Sequence, residues 1–313
     1  MDAYDVGLSP SAFGLNNTGV ICYFNAFLQL LAGCTSFTRG VHQNAAYLRR
    51  TATGTAVAEF VAAYAARPPA AGIERLSARV LHALVSDLAV RRPHTRFGGG
   101  QESASEALVH LLDMMEPPRP GSPTATAVES ATSPITSLFL HRFRCDVHCR
   151  TCKKVVSKTE DYAVNFNLFH LDQLGTPPAT VAEFSKAVRL QASAVEDYRC
   201  PSCAQASACR LYNLTMVPEI VVCMFNLYVG FGGARSPRYF PERLEFPAAQ
   251  GGVLTYRLVG QVEHAGALSG GHYWARGLRA DGQTYLLNDT GVSPAAFTPT
   301  AQTYIVAYHY AGA

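Results

Sequence analysis

The 313-residue sequence is poor in charge: Asp, Glu, Lys and Arg make up 16% of it, against 48% hydrophobic residues. That balance excludes an extended disordered chain and leaves ample material for a buried core. Charge of one sign is scarce as well, the formal net being +3. So weak a field argues against a nucleic acid or a membrane surface as partner. The basic stretch Arg91-Arg92-Pro93-His94-Thr95-Arg96 reads as a solvated loop. No apolar run is long enough for a membrane span. The first residues, Met-Asp-Ala-Tyr-Asp-Val-Gly, lack the basic and apolar regions of an export signal. The expectation is an intracellular chain, cytoplasmic or nuclear. The nine cysteines are an odd number and, without export, should stay reduced. Their work is then packing, metal binding or chemistry.

What is present changes character along the chain. Apolar residues recur at helical spacing from Cys22 to Ala32, Val57 to Ala66, Glu74 to Val90 and Gln101 to Glu116. Pro117 and Pro118 stop the last of these, and the Pro-, Ser- and Thr-rich stretch 117–134 reads as a linker. Strand-like alternation follows in Phe139–Val147, Tyr162–Phe169, Glu219–Val229, Thr255–Val262, His272–Leu278, Thr284–Leu287 and Gln302–Tyr310, with a helix expected over Thr180–Ala192. Helices first and strands later give an α+β class.

The richest segment runs from Gly14 to Gln29. A glycine-bearing turn enters an amphipathic helix, and Cys22 stands at the junction. Unpaired N–H groups and the positive end of the helix dipole favour thiolate there, and can hold an oxyanion. A lone cysteine is more often a core thiol, so a base is needed to make the case. His272 follows Gly270-Gly271 and opens a strand that would hold its imidazole. His264 competes, and reads as structural. The pair Asn288-Asp289 ends an apolar strand, where an oxygen can accept from imidazole Nδ1–H; alone, it is an ordinary turn pair.

Two CxxC turns, Cys149-Arg150-Thr151-Cys152 and Cys200-Pro201-Ser202-Cys203, offer four thiolates for a structural Zn²⁺. Lys153 and Lys154 would offset part of the thiolate charge. Cys145 and Cys209 are left for packing.

These segments together resemble the ubiquitin-specific proteases. Gly14, Leu15, Asn17, Gly19, Cys22, Tyr23, Asn25, Leu28 and Gln29 match that family's Cys box, with Val20 and Ile21 departing from it. Gly271-His272-Tyr273 matches its His box, and Gln101-Glu102-Ser103-Ala104-Ser105-Glu106 resembles its Q-Q-D-A-x-E helix, with Ser103 in place of the acid. The resemblance implies a papain-like α+β fold with a helical thumb, a palm and zinc-bearing fingers. It implies a single catalytic domain over 12–310, with the thumb at about 14–116 and fingers and palm over 135–310. It further implies catalysis by Cys22, His272 and Asn288, an oxyanion amide from Asn17, and Asp289 as support or substitute for Asn288. Substrate contacts are expected from Gln101, Glu106, Gly270, Gly271 and Tyr273, and zinc ligation from Cys149, Cys152, Cys200 and Cys203. The implied activity is thiol-dependent hydrolysis after the C-terminal glycine of ubiquitin. The partners would be ubiquitin and ubiquitinated proteins, and the chain a monomer. Two alternatives stay open: a protease for another ubiquitin-like modifier, and a silent ubiquitin-binding scaffold.

Overall fold

Helix formation dominates the N-terminal third because apolar side chains there recur every three to four residues and can pack on one another. The computed structural model describes residues 12–66, 72, 75–117, 133–158, 162–164, 169–170, 180–195, 198–225, 227, 238–248, 250–267 and 270–312. In that third lie α1 (Cys22–Ala32), α2 (Thr35–Gln43), α3 (Ala45–Leu48), α4 (Ala52–Ala65), α5 (Leu76–Arg91) and α6 (Ala104–Met114). Every residue of α1 is buried, so it is not the amphipathic helix expected. It lies between the other helices and a sheet. Its approach to the sheet is so close that a Cβ at Gly260 would sit 2.9 Å from Leu30. Thr51 caps α4 through its hydroxyl, which accepts from Gly54 N–H at 2.9 Å.

The later strands divide, among the described residues, into two sheets. The smaller has the order β2 (Val155–Lys158), β1 (His141–Cys149), β6 (Ala208–Met216), β5 (Leu190–Val195), with β3 (Tyr162–Val164) also on β1. The larger runs β12 (Gly291–Pro294), β11 (Thr284–Asn288), β10 (Gly270–Leu278), β9 (Val253–Ala267), β13 (Thr303–Gly312), β7 (Ile220–Met224), β4 (Phe169–His170), with β8 (Arg243–Pro247) on β9. In β1 the period of two is plain: His141, Phe143, Cys145, Val147 and Cys149 point inward, while Arg142 and Arg144 are exposed.

The helix expected over Thr180–Ala192 ends sooner. Thr180 caps the start of α7 (Val181–Arg189): its hydroxyl accepts from Glu183 N–H at 3.2 Å and donates to the Glu183 carboxylate at 2.9 Å. From Leu190 the backbone instead pairs with β6, because β6 offers an edge that a longer helix would leave bare. The stretch 118–132, most of the expected linker, lies outside the described residues.

The core has two apolar clusters. One gathers α1 to α6 against β9, β10 and β13 and includes Tyr23, Phe24, Phe27 and Tyr273. The other joins Phe143, Phe184, Leu214, Phe246 and Tyr308, from both sheets and α7. No helix among the described residues is long and apolar enough to cross a membrane.

Candidate active site

Cys22 is the first residue of α1, and it faces β10. The backbone N–H groups of Tyr273, Tyr23 and Cys22 itself point toward its sulfur. These donors favour the thiolate, but burial outweighs them, with Asp289 adding to it, and the thiol is pushed up from its ordinary value. The donors at the helix start act on the sulfur as expected, but against its burial. A base must take its proton.

The structure brings the expected base, His272, to Asn288, but through the other ring nitrogen. His272 Nε2 lies 2.6 Å from Asn288 Oδ1. An amide oxygen only accepts, so Nε2 carries the hydrogen and Nδ1 carries the lone pair. The expected Nδ1–H bond is replaced by one through the other nitrogen. His272 opens β10 and Asn288 ends β11, and the antiparallel pairing of these strands brings the residues together.

Asp289 does not substitute for Asn288. Its Oδ2 accepts from Asn17 Nδ2 at 3.0 Å and its Oδ1 from Asn25 Nδ2 at 2.8 Å. Its backbone oxygen accepts from Leu15 N–H at 2.8 Å. Asn17 Oδ1 in turn accepts from Ile21 N–H at 3.1 Å, at the start of the nucleophile's helix. The carboxylate therefore fixes the turn and the amide that lead to Cys22. Gly14 lets this turn dock: a Cβ there would lie 2.4 Å from the Thr290 oxygen.

Gln101 spans the gap between the helices and β10. Its Nε2 donates to Gly271 O and lies 3.7 Å from Cys22 Sγ, while its Oε1 accepts from Gly271 N–H at 2.9 Å. The side-chain amide thus meets both backbone groups of Gly271, as a neighbouring strand would. Gly271 must be glycine, since a Cβ would fall 2.3 Å from His264 Nε2. His264 is buried behind the strand with its ring 4.2 Å from that of Tyr273, which fits a structural role. The Tyr273 ring also turns into the core, so only its backbone reaches the nucleophile. Gly270 lies beside Gln101, and Glu106 is exposed in the first turn of α6, 3.6 Å from His110. Where the resemblance calls for an acid, Ser103, Ser105 and Tyr304 form a triangle of hydroxyls 2.7–2.8 Å apart.

The four knuckle cysteines also meet. Their sulfurs all lie within 4.8 Å of one another, with Cys149–Cys203 at 3.5 Å and Cys152–Cys200 at 3.8 Å. Tetrahedral Zn–S bonds would place sulfurs about 3.8 Å apart, so the set fits such an ion. The two turns repeat one design. Lys153 N–H donates to Cys149 O and Ala204 N–H to Cys200 O, and both Lys153 and Ala204 have positive φ. In this close set of thiols the Cys152 N–H pulls Cys149 down, while burial and the neighbouring thiols push Cys203 up, so the four share their protons until a cation displaces them.

A family model described as ubiquitin carboxyl-terminal hydrolase matches residues 13–308. The chain belongs to that family. Ubiquitin carboxyl-terminal hydrolase 36 of Drosophila erecta is 26% identical over 94% of this chain, and the protein of that name from Drosophila mojavensis is 27% identical over 67%. The chain spans 28% and 19% of the lengths of these relatives. Among solved structures, a SAGA DUB module of Ubp8, Sgf11, Sus1 and Sgf73 bound to monoubiquitin matches with a TM-score of 0.71 at 17% identity, over 96% of this chain and 71% of that one. The same module bound to ubiquitin aldehyde matches with a TM-score of 0.72 at 16% identity, over 96% and 71%. The fold is therefore that of the ubiquitin-specific proteases, as the Cys and His boxes led us to expect.

Two members of the family's Cys box have work that the sequence did not assign. Asn25 donates to Asp289, as above. Gln29 ties the far end of α1, its Nε2 donating to Phe13 O at 2.8 Å and its Oε1 accepting from Tyr64 OH and from Arg279 Nη2, the latter at 2.7 Å. Beyond the Cys-box match, their sequence signal is a polar residue inside an otherwise apolar helix.

Proposed function

We propose that this chain is a thiol-dependent deubiquitinase, hydrolysing the isopeptide or peptide bond after the C-terminal glycine of ubiquitin. One observation carries the reading: the bonded His272–Asn288 pair and the clamped Asn17 amide flank the helix start that presents Cys22, beside the backbone of Gly271. Cys22 attacks the carbonyl. His272 takes the thiol proton through Nδ1 and later gives it to the leaving amine. Asn288 fixes the tautomer. Asn17 Nδ2 and the Cys22 N–H stabilise the oxyanion. A Gly-Gly tail that pairs with the backbone groups of Gly271 requires Gln101 to release them.

In this reading one catalytic domain covers 12–310. Zn²⁺ at Cys149, Cys152, Cys200 and Cys203 is structural, with no position left for substrate. The partners are ubiquitin and ubiquitinated proteins, without nucleic acid or membrane, inside the cell. The chain acts as a monomer, although Ubp8 was solved with Sgf11, Sus1 and Sgf73.

The hydroxyl triangle of Ser103, Ser105 and Tyr304 favours a second reading, a protease for a ubiquitin-like modifier with a less basic tail. The test is hydrolysis of fluorogenic C-terminal amides of ubiquitin and of related modifiers. Ubiquitin amide should be turned over by the wild type, with Cys22→Ala at background. Turnover of another modifier alone would favour the second reading, and background rates on every substrate would reject both.

A further inference from the structure

His272, Trp274 and Arg276 alternate along β10 and share one face of it. Trp274 is the only tryptophan of the chain. Its ring stacks on that of His272, with centroids 6.0 Å apart and planes 28° from parallel. The far edge of the indole is fixed as well. Trp274 Nε1 donates to Glu263 Oε2 at 2.7 Å, and Glu263 is buried on β9, directly across from Trp274 in the sheet register. Glu263 is itself held: Arg276 Nε donates to Oε2 at 2.8 Å and Thr300 Oγ1 to Oε1 at 2.7 Å. Arg276 Nη1 is tied to Ala296 O at 2.7 Å. An indole fixed this firmly acts as a wall against which the imidazole must lie.

We propose that Trp274 is a positioning residue for His272, holding the imidazole face while Asn288 holds its edge, and favouring the imidazolium that forms when His272 takes the thiol proton. The reaction part of this rests on the deubiquitinase reading above; the ring contact does not. An indole face attracts a cation within about 6 Å. Asn288 alone would leave the ring free to swing about its Nε2 bond, so two contacts are needed to aim Nδ1. The other titratable groups around the imidazole are Cys22 on α1, Asp289 after β11, Glu263 and His264 on β9, and Arg276 on β10 itself. Glu263 and Arg276 offset each other, and His264 lies behind the strand.

The test has two arms. With His272 as the base of the proposed reaction, the acid limb of kcat/KM reports loss of its imidazolium proton. Trp274→Val should move that limb to lower pH by about half a unit, and Trp274→Phe, which keeps a ring face, should move it less. A merely structural role would lower thermal stability and kcat without moving the limb. The second arm needs no substrate and no Trp274 variant. An imidazolium quenches a stacked indole, so wild-type tryptophan emission should rise with pH through the midpoint of the acid limb, and His272→Gln should remove that step. Emission without a His272-dependent step, or an acid limb in Trp274→Val that superimposes on wild type, would overturn the proposal. The emission step reads the ring contact even if ubiquitin is not the substrate, so failure of one reading is separable from failure of the other.

Discussion

Asp289 sits at φ 49°, in the left-handed region, where a residue other than glycine is uncommon. That backbone turn lets one carboxylate reach Asn17 and Asn25 at once, while the neighbouring Asn288 faces His272. In the proposed mechanism two adjacent residues thus serve the two sides of the reaction, Asn288 the base and Asp289 the oxyanion amide. Asp289→Ala should lower kcat about a hundredfold, with KM little changed, because Asn17 loses its fixed position. Asp289→Asn should recover little of this, since an amide cannot accept from both asparagines through two equivalent oxygens. Steady-state hydrolysis of the ubiquitin amide measures both. An Asp289→Ala enzyme as fast as wild type would show that Asn17 needs no such support. Burial of the sulfur, invisible in the sequence, pushes the Cys22 thiol up against the helix-start donors, and the same carboxylate adds to that push.

At the scale of elements, α1 carries the nucleophile at one end and is braced at the other. Arg279 is buried, and its Nη2 donates to Gln29 O at 3.1 Å and to Gln29 Oε1. The guanidinium meets the negative end of the helix dipole and ties α1 to the last residues of β10. Gln101 makes the matching bridge near the reactive end. Gln101→Ala should expose the sulfur and raise its rate of alkylation by iodoacetamide about fivefold, the loss of one modest hydrogen bond. An unchanged rate would mean that Gln101 does not shield the thiol. These bridges explain which parts of the molecule were legible. Periodicity placed α1, α4, α5, α6 and most strands of the large sheet, and the boxes named Cys22, His272 and the two knuckles. The short helices α2 and α3, the strands β2, β5, β6, β8 and β12, and the end of α7 went unread, because pairing and packing partners elsewhere in the chain set them. Trp274 and Glu263 went unread for the same reason: one is a strand residue like any other until its neighbour across the sheet is known.

Across the whole molecule, the smaller sheet stands on the two cysteine turns at its end. Its strands are joined through β1 and β6, whose last pair aligns Cys149 with Ala208. Four thiolates held so close repel one another unless a cation sits between them. Elemental analysis should therefore find about one zinc per chain, and Cys152→Ser should lower the unfolding temperature by about 10 °C or more. A metal-free wild-type protein of equal stability would reject the structural role. The larger sheet and α1 carry His272, Asn288 and Cys22 and contain none of these four cysteines, so the proposed chemistry and the proposed metal fall on different elements.

The central claim is that Cys22 is a nucleophile that His272 activates against the ubiquitin C-terminus. Its most direct test is labelling with ubiquitin bearing a C-terminal electrophile, followed by peptide mapping of the adduct. The expected result is one ubiquitin per chain, attached at Cys22, with His272→Ala labelled far more slowly and Cys22→Ala not at all. Attachment at another cysteine, or no adduct on folded wild-type protein, would contradict it.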